Sequence, residues 1–407
     1  MKSAKVKPEL ISPVQDFVSL QAAIHAGADA VYFGLKEFSM RATAKNFNLN
    51  ELKKVVEICH KHNIKAYLTL NTIVYEDEIS KIKNILKRVK RLKIDAIHAW
   101  DLSVINEALK LKIPIHLSTQ ASVSNSEAAK FYKKLGIKRI ILARECSLEQ
   151  IKKMKVKGFE LEVFIHGAMC VSVSGRCFLS QFLFNKSANR GECVQPCRRK
   201  YLIKDVEEKH ELGLGEDYVM SPKDLCALPF IEKLIETGID AFKIEGRNRS
   251  PEYVKTVTSV YRTAIDFYFK NKKKKDFKEK FKVLKKQLIE ELKQVYNRGF
   301  SSGFFMGKPI NEWAGVYGSK ATKRKIYIGK IVHFYKKIKV AEIKIESKGL
   351  KIGDKLMVQG PTTGVYEQKL NSIEVEHKKI KSAKKGKMIA VKFDKIVRKN
   401  DKVYVIK

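Results

Sequence analysis

Between Glu9 and Arg247 the chain repeats one unit eight times: a short apolar run, a polar turn, then an amphipathic stretch. The runs are ELISP at Glu9, DAVYFGL at Asp29, KAYLTLNT at Lys65 and DAIHAWDL at Asp95, then PIHLSTQ at Pro114, RIILAREC at Arg139, ELEVFIHG at Glu160 and AFKIEGR at Ala241. Short and near-continuously apolar, they read as strands buried on both faces. The stretches between them, such as NELKKVVEICHKHN and EAAKFYKKLG, carry helical periodicity, and several close on a Gly or Asn able to end a helix. Eight strands alternating with helices predict an α/β fold, a parallel (β/α)8 TIM-type barrel. A doubly wound sheet is the alternative, but it needs no eighth strand. The loops after a barrel's strands line its functional face.

The rhythm breaks once. After ELEVFIHG, residues 168–225 are mostly irregular and hold Cys170, Cys177, Cys193 and Cys197, with Cys226 just beyond. A hairpin is expected there, RRKYLIKD with EDYVMSP, and GLGED at Gly213 reads as its turn. The spacing C-x6-C-x15-C-x3-C lacks the tight pairs at both ends that zinc sites prefer. Iron–sulfur clusters tolerate irregular loops, because the fold rather than local spacing sets their geometry. Five cysteines are candidates for four places. Cys59 and Cys146 read as buried thiols, and His60 and His62 as solvated residues at a helix end.

Formal net charge is +38. A field of that sign attracts nucleic acid or another anionic surface. The N-terminus is basic without an apolar run, and no segment approaches the ~18 apolar residues of a membrane span, so a soluble cytoplasmic protein with reduced thiols is expected. The barrel should occupy residues 1–300, ending in a lysine-rich helix near Asn297. A glycine-punctuated linker is expected at 301–322, and short alternating strands at 323–407 predict a small antiparallel β-barrel. That last region has 24 Lys and Arg against 8 Asp and Glu, suited to RNA backbone contact. GLKIGDKLMVQGPTTGVYE within it resembles the small second domain of translation elongation factors.

ELEVFIHGAMCVSVSGRCFLSQFLFNKSANRGECVQPCRRKY closely resembles the signature of the collagenase-like peptidase family, formerly of unassigned mechanism. The likeness extends through AGADAVYFGLKEFSMRATAKNF, STQASVSNS, SPKDLC, FKIEGRNRSPEYV and NRGFSSGFFMGK, nearly the whole chain. It implies an oxygen-independent hydroxylase with a [4Fe–4S] cluster, similar to those forming 5-hydroxyuridine at the tRNA wobble position with prephenate as donor. Relatives acting on ribosomal RNA or quinone precursors make those the alternative substrates, and a partner subunit or paralogue is a further expectation. An RNA-binding protein with a structural cluster, or a peptidase, are readings from other classes. The chain contains no H-E-x-x-H, and no base adjoins Ser174 in SVSGRC.

By this resemblance Cys170, Cys177 and Cys193 are cluster ligands. Cys226 is favoured as the fourth, with Cys197 the alternative. Asn71, Gln120, Glu145, His166 and Glu245 fall where apolar runs meet their loops and are the catalytic candidates, Glu145 and His166 for proton transfer. Arg41, Arg144, Arg176 and Arg247 are expected at the same mouth, where guanidinium groups suit the two carboxylates of prephenate or RNA phosphates. Glu145 pairing with an arginine, and Glu162 as a barrel-interior ion-pair member, are the plainer readings.

Overall fold

The computed structural model describes residues 6–154, 158–201, 203–204, 207, 211–212, 220–310 and 312–407. All eight apolar runs are strands: β1 Glu9–Pro13, β2 Ala30–Gly34, β3 Lys65–Thr69, β4 Ala96–Ala99, β5 Ile115–Leu117, β6 Arg139–Ile141, β7 Glu160–Gly167 and β8 Ala241–Ile244. Each pairs in parallel with the next in chain order up to β7. Then β8 pairs with both β7 and β1, closing the barrel. Each strand is followed by a helix, the last being the long Pro251–Asn271.

Strand alternation sorts the side chains. Leu10, Val31, Phe33, Leu68, Ile97 and Phe242 face the helices and join the main core, while Ile11, Ala30, Tyr32, Tyr67, Ala96 and Ala241 cluster separately inside the barrel. The amino-terminal end of the interior is plugged by charge. Arg139 donates to Glu9 at 2.7 Å and Glu160 at 2.7 Å and lies 3.4 Å from Glu162, while Lys243 reaches Glu162 at 2.9 Å. Glu162 is the interior ion-pair member expected of it.

The segment 301–322 is a strap fastened to the barrel, not a free linker. Phe300–Ser301 pairs with Asp224–Leu225, Leu148 N–H donates to the Phe305 carbonyl, and Lys223 pairs with Glu312. In the insertion, Ile203–Lys204 pairs with Glu211–Leu212. Most of the expected second hairpin arm, and GLGED, lie outside the described residues.

Beyond the strap, an antiparallel sheet of eight strands runs from Lys325 to Ile406 around its own core of Ile331, Ile343, Leu356, Phe393 and Val403. It has the strand content expected of a small barrel, but among the described residues its ladder ends at Gly364–Lys369 and Lys378–Ile380 without joining them. It docks on the helix Phe17–His25 through Ala22, Met357 and Val365, and Lys325 binds Glu252, which opens the helix after β8. No helix among the described residues is long and apolar enough to cross a membrane.

Removing one partner of a buried ion pair strands the other charges. Glu162→Gln is therefore expected to cost about 3–5 kcal/mol in urea unfolding.

Candidate active site

The carboxyl ends of the strands open into a cavity. Tyr32, Thr69, His98, Phe164 and Lys243 line its barrel part. Met40, Arg41, Asn71, Ser118, Gln120, Arg144, Glu245 and Arg247 line its rim, and the insertion covers it with Cys170, Cys177, Cys193, Cys197 and Arg198. The insertion is held down at several points. At Gly191 the backbone has φ +87° and passes so close to the Ser39 carbonyl that a Cβ would sit 2.2 Å from it. Nearby, Ala42 N–H donates to the Gly191 carbonyl at 3.0 Å. Arg190 pairs with Glu78, and Arg198 donates to the Met169 and Pro222 carbonyls.

Lys243, Glu245 and Arg247 stand two residues apart, at successive inward positions of β8 and its continuation. Glu245 accepts from Arg41 at 2.9 Å; burial alone would raise its carboxyl, but Arg41, Arg144 and Arg249 hold it below the ordinary range. Arg247 donates to Thr69 at 2.9 Å and to Ser39, and burial lowers it to about 10. Arg144 donates to the Ala168 carbonyl at 2.7 Å and stacks 4.1 Å from the Phe164 ring, with its buried Nε unpartnered. Asn71 accepts from Met40 N–H at 3.3 Å, and its amide lies 3.5 Å from Gln120 Oε1.

The four insertion cysteines line one wall with free thiols. Among the described residues no three of their sulfurs lie within 4.8 Å of one another, which is wider than the tetrahedral shell of a single zinc ion allows. A four-iron cluster takes four thiolates and tolerates an irregular loop, and four free thiols lining one cavity are a donor set of that kind. Burial pushes the Cys170 thiol up, but Ser172 hydrogen bonds, Arg144 and Arg41 outweigh it and leave it lowered; burial and neighbouring thiols raise Cys193 and Cys197.

Four sequence candidates are not at the cavity. Cys226 is 1 % exposed, in a strand antiparallel to the end of β7. Burial pushes its thiol up to about 11, and Tyr261 Oη lies 3.8 Å from its sulfur. Its closeness in sequence to the insertion does not carry it to the cysteine wall, and Cys197 stands there instead. His166 is buried on the outer side of the barrel, its Nδ1 3.3 Å from Tyr261 Oη among Tyr253, Tyr261 and Phe300. Burial lowers it to about 3, so it is neutral and turned from the mouth. Glu145 is exposed beside the inward Arg144 and lines no part of the cavity. Arg176 lies over the Trp100 ring at 4.9 Å and donates to the Gln120 carbonyl at 2.7 Å, clamping the insertion from outside the lining. Sequence reading passed over Lys243, His98, Tyr32 and Arg198. Lys243 carried a signal, since it alternates with Glu245 and Arg247.

A family model for peptidase family U32 matches residues 15–315. The chain belongs to that family. It is 43% identical to an uncharacterized protease of Methanocaldococcus jannaschii, with 99% of each chain covered. It is 40% identical to a collagenase of Porphyromonas gingivalis, with 97% of each covered. It is also 36% identical to tRNA hydroxylation protein P1 of Bacillus subtilis, over 90% of this chain and 87% of that one. These names divide between proteolysis and RNA chemistry, so the site must decide between them.

GFSSG at Gly299 has the spacing of a nucleophile elbow. Here it is no strand-to-helix elbow: Phe300–Ser301 is a short paired strand, and Ser301 Oγ accepts from Gly303 N–H at 3.1 Å. Among the described residues, the one group of His, Cys, Asp or Glu close enough to ligate a single ion is His98, His116 and Glu162. Its carboxylate is already taken by Lys243 and Arg139, whose charges repel a further cation. Among the described residues neither of these two arrangements is assembled.

His166 gives a pH test. Above about pH 6.5 its ring is neutral in folded and unfolded chains alike. As pH falls toward 3 the unfolded chain takes up a proton that the folded one refuses, so stability drops by up to about 1.4 kcal/mol per pH unit. His166→Phe should flatten urea-derived stability over that range by as much as one proton's slope, with far-UV circular dichroism unchanged.

Proposed function

We propose that this chain is an RNA hydroxylase that forms 5-hydroxyuridine at the tRNA wobble position with prephenate as donor, using a [4Fe–4S] cluster on Cys170, Cys177, Cys193 and Cys197. The observation that carries this reading is the meeting of four free cysteines with Arg41, Arg144 and Arg247 around one cavity at the barrel's mouth. Bound there, the cluster would supply electron-transfer or Lewis-acid chemistry. The chain's own groups do the rest. Arg144 and Arg247, without carboxylate partners among the described residues, clamp the donor's carboxylates, while the Arg41–Glu245 pair stiffens the rim. The amides of Asn71 and Gln120 are placed to read the edge of a base.

An RNA substrate is supported by the relative named for tRNA hydroxylation, by the basic C-terminal sheet, and by an aromatic rim. Phe178, Phe182 and Phe184 on the insertion are 63%, 83% and 40% exposed, with Arg199 5.2 Å from the Phe184 ring. Exposed rings interleaved with cations suit stacking on unpaired bases, and a base flipped out of its stack can reach a recessed cavity.

Protein purified without oxygen should carry about four irons and four sulfides per chain, the content of one cube. With prephenate it should form 5-hydroxyuridine in unmodified tRNA, read by nucleoside mass spectrometry. A full cluster with no RNA product moves the reading to another hydroxylation substrate. Cleavage of gelatin that Arg247→Met leaves intact, with no modified nucleoside, restores the peptidase reading.

The fourth ligand is tested separately. Cys197→Ser should lose most of the iron and visible absorbance, whereas Cys226→Ser should keep both.

A further inference from the structure

Deep in the cavity, Lys243 is 2% exposed, yet it belongs to the lining. Its Nζ is 2.9 Å from Glu162 Oε1 and 2.9 Å from His98 Nδ1. The ammonium donates to both, so neutral His98 carries its own proton on Nε2, which is buried and unpartnered. Nζ also lies over two rings of the cavity lining, Tyr32 at 4.3 Å and Phe164 at 5.6 Å from their centres. Those same rings meet two guanidiniums that have no carboxylate partner among the described residues: Arg247 is 5.9 Å from Tyr32 and Arg144 is 4.1 Å from Phe164. An amine and two anion-binding groups thus border the same pair of rings in one cavity.

We infer that Lys243 captures the carbonyl of a 2-oxo carboxylic acid as a protonated imine, with Arg144 and Arg247 holding its carboxylate. The step balances without an outside reagent. Glu162 Oε1 takes a proton from the Lys243 ammonium, and the freed Nζ lone pair bonds to the carbonyl carbon. The carbonyl oxygen collects that proton and a second one from Nζ and leaves as water. Ammonium and ketone become iminium and water, and Glu162 remains as counter-ion to the same single positive charge. Desolvation is what makes a lysine nucleophilic near neutral pH. Burial, aided by Arg247 and Arg139 against the pull of Glu162, lowers Lys243 to about 8. The inference rests on the proposed function and deepens it, since it says how the cavity grips the donor.

The test uses the cluster-loaded protein without RNA. It is incubated with pyruvate as the probe under cyanoborohydride, digested, and each lysine's reduced adduct is quantified by mass spectrometry. The Lys243 peptide should exceed the average exposed lysine on the order of 100-fold, the ratio of neutral amine expected at pH 7 from about 8 against about 10.4. Adduct spread evenly over surface lysines, or none at Lys243, overturns the inference and leaves an ion pair only. Lys243→Arg should abolish the specific adduct while keeping iron content; should that variant fold poorly, the mapping on the native chain decides alone. Wobble hydroxylation without an adduct would sink this inference and spare the hydroxylase. An adduct without RNA product would do the reverse.

Discussion

Everything at the mouth depends on the closure of the barrel by β8. Ala241–Ile244 pairs with β1 on one side and β7 on the other, so its register fixes where Lys243, Glu245 and Arg247 enter the interior. A one-residue slip would turn all three toward the helices. The charged plug opposes such a slip. Lys243 and Arg139 share Glu162, and Arg139 also binds Glu9, which Lys65 and the Tyr67 hydroxyl reach at 2.7 Å each. Desolvating so many charges gains little stability over an apolar filling. The arrangement holds because each is matched in this one register.

That matching stops at the mouth. Glu245 answers Arg41, but among the described residues Arg144 and Arg247 donate to neutral groups, which leaves positive charge at the cavity without a carboxylate. Guanidinium groups this buried keep their charge at a desolvation cost that an anion can offset. Two kinds of anion suit the site. Thiolates in the insertion are one, since Arg41 and Arg144 favour the ionised form of Cys170 and Arg198 that of Cys197. A carboxylate entering the cavity is the other. The same cations thus act on the cysteine wall and on the cavity beneath it.

The barrel was legible in the sequence because a strand buried on both faces leaves an apolar run too short for a helix, and eight such runs admit few topologies. The candidate site was legible where a residue's side of the strand follows from alternation, as for Glu245 and Arg247, or where a loop must sit on the mouth, as for the four insertion cysteines. It failed where three-dimensional position departs from sequence order. Cys226 is close in number to the insertion, but the chain has by then turned back to pair with the end of β7.

His166 shows the limit most clearly. Glu162 and Phe164 point into the barrel, so strict alternation places His166 inside as well. Opposite them, however, β8 advances one residue while β7 advances two: Lys243 faces Phe164 and Ile244 faces His166. The extra residue is Ile165, whose carbonyl is bonded by Tyr261 Oη at 2.9 Å and Ala227 N–H at 2.9 Å. A bulge shifts the inward face by one, so His166 follows the outward Ile244 rather than the inward Lys243. The partners of the bulge, Ala227 and Tyr261, lie far along the chain, and no local pattern in ELEVFIHG announces them. Lys243, one register position before Ile244, keeps the inward side and lines the cavity that His166 turns away from.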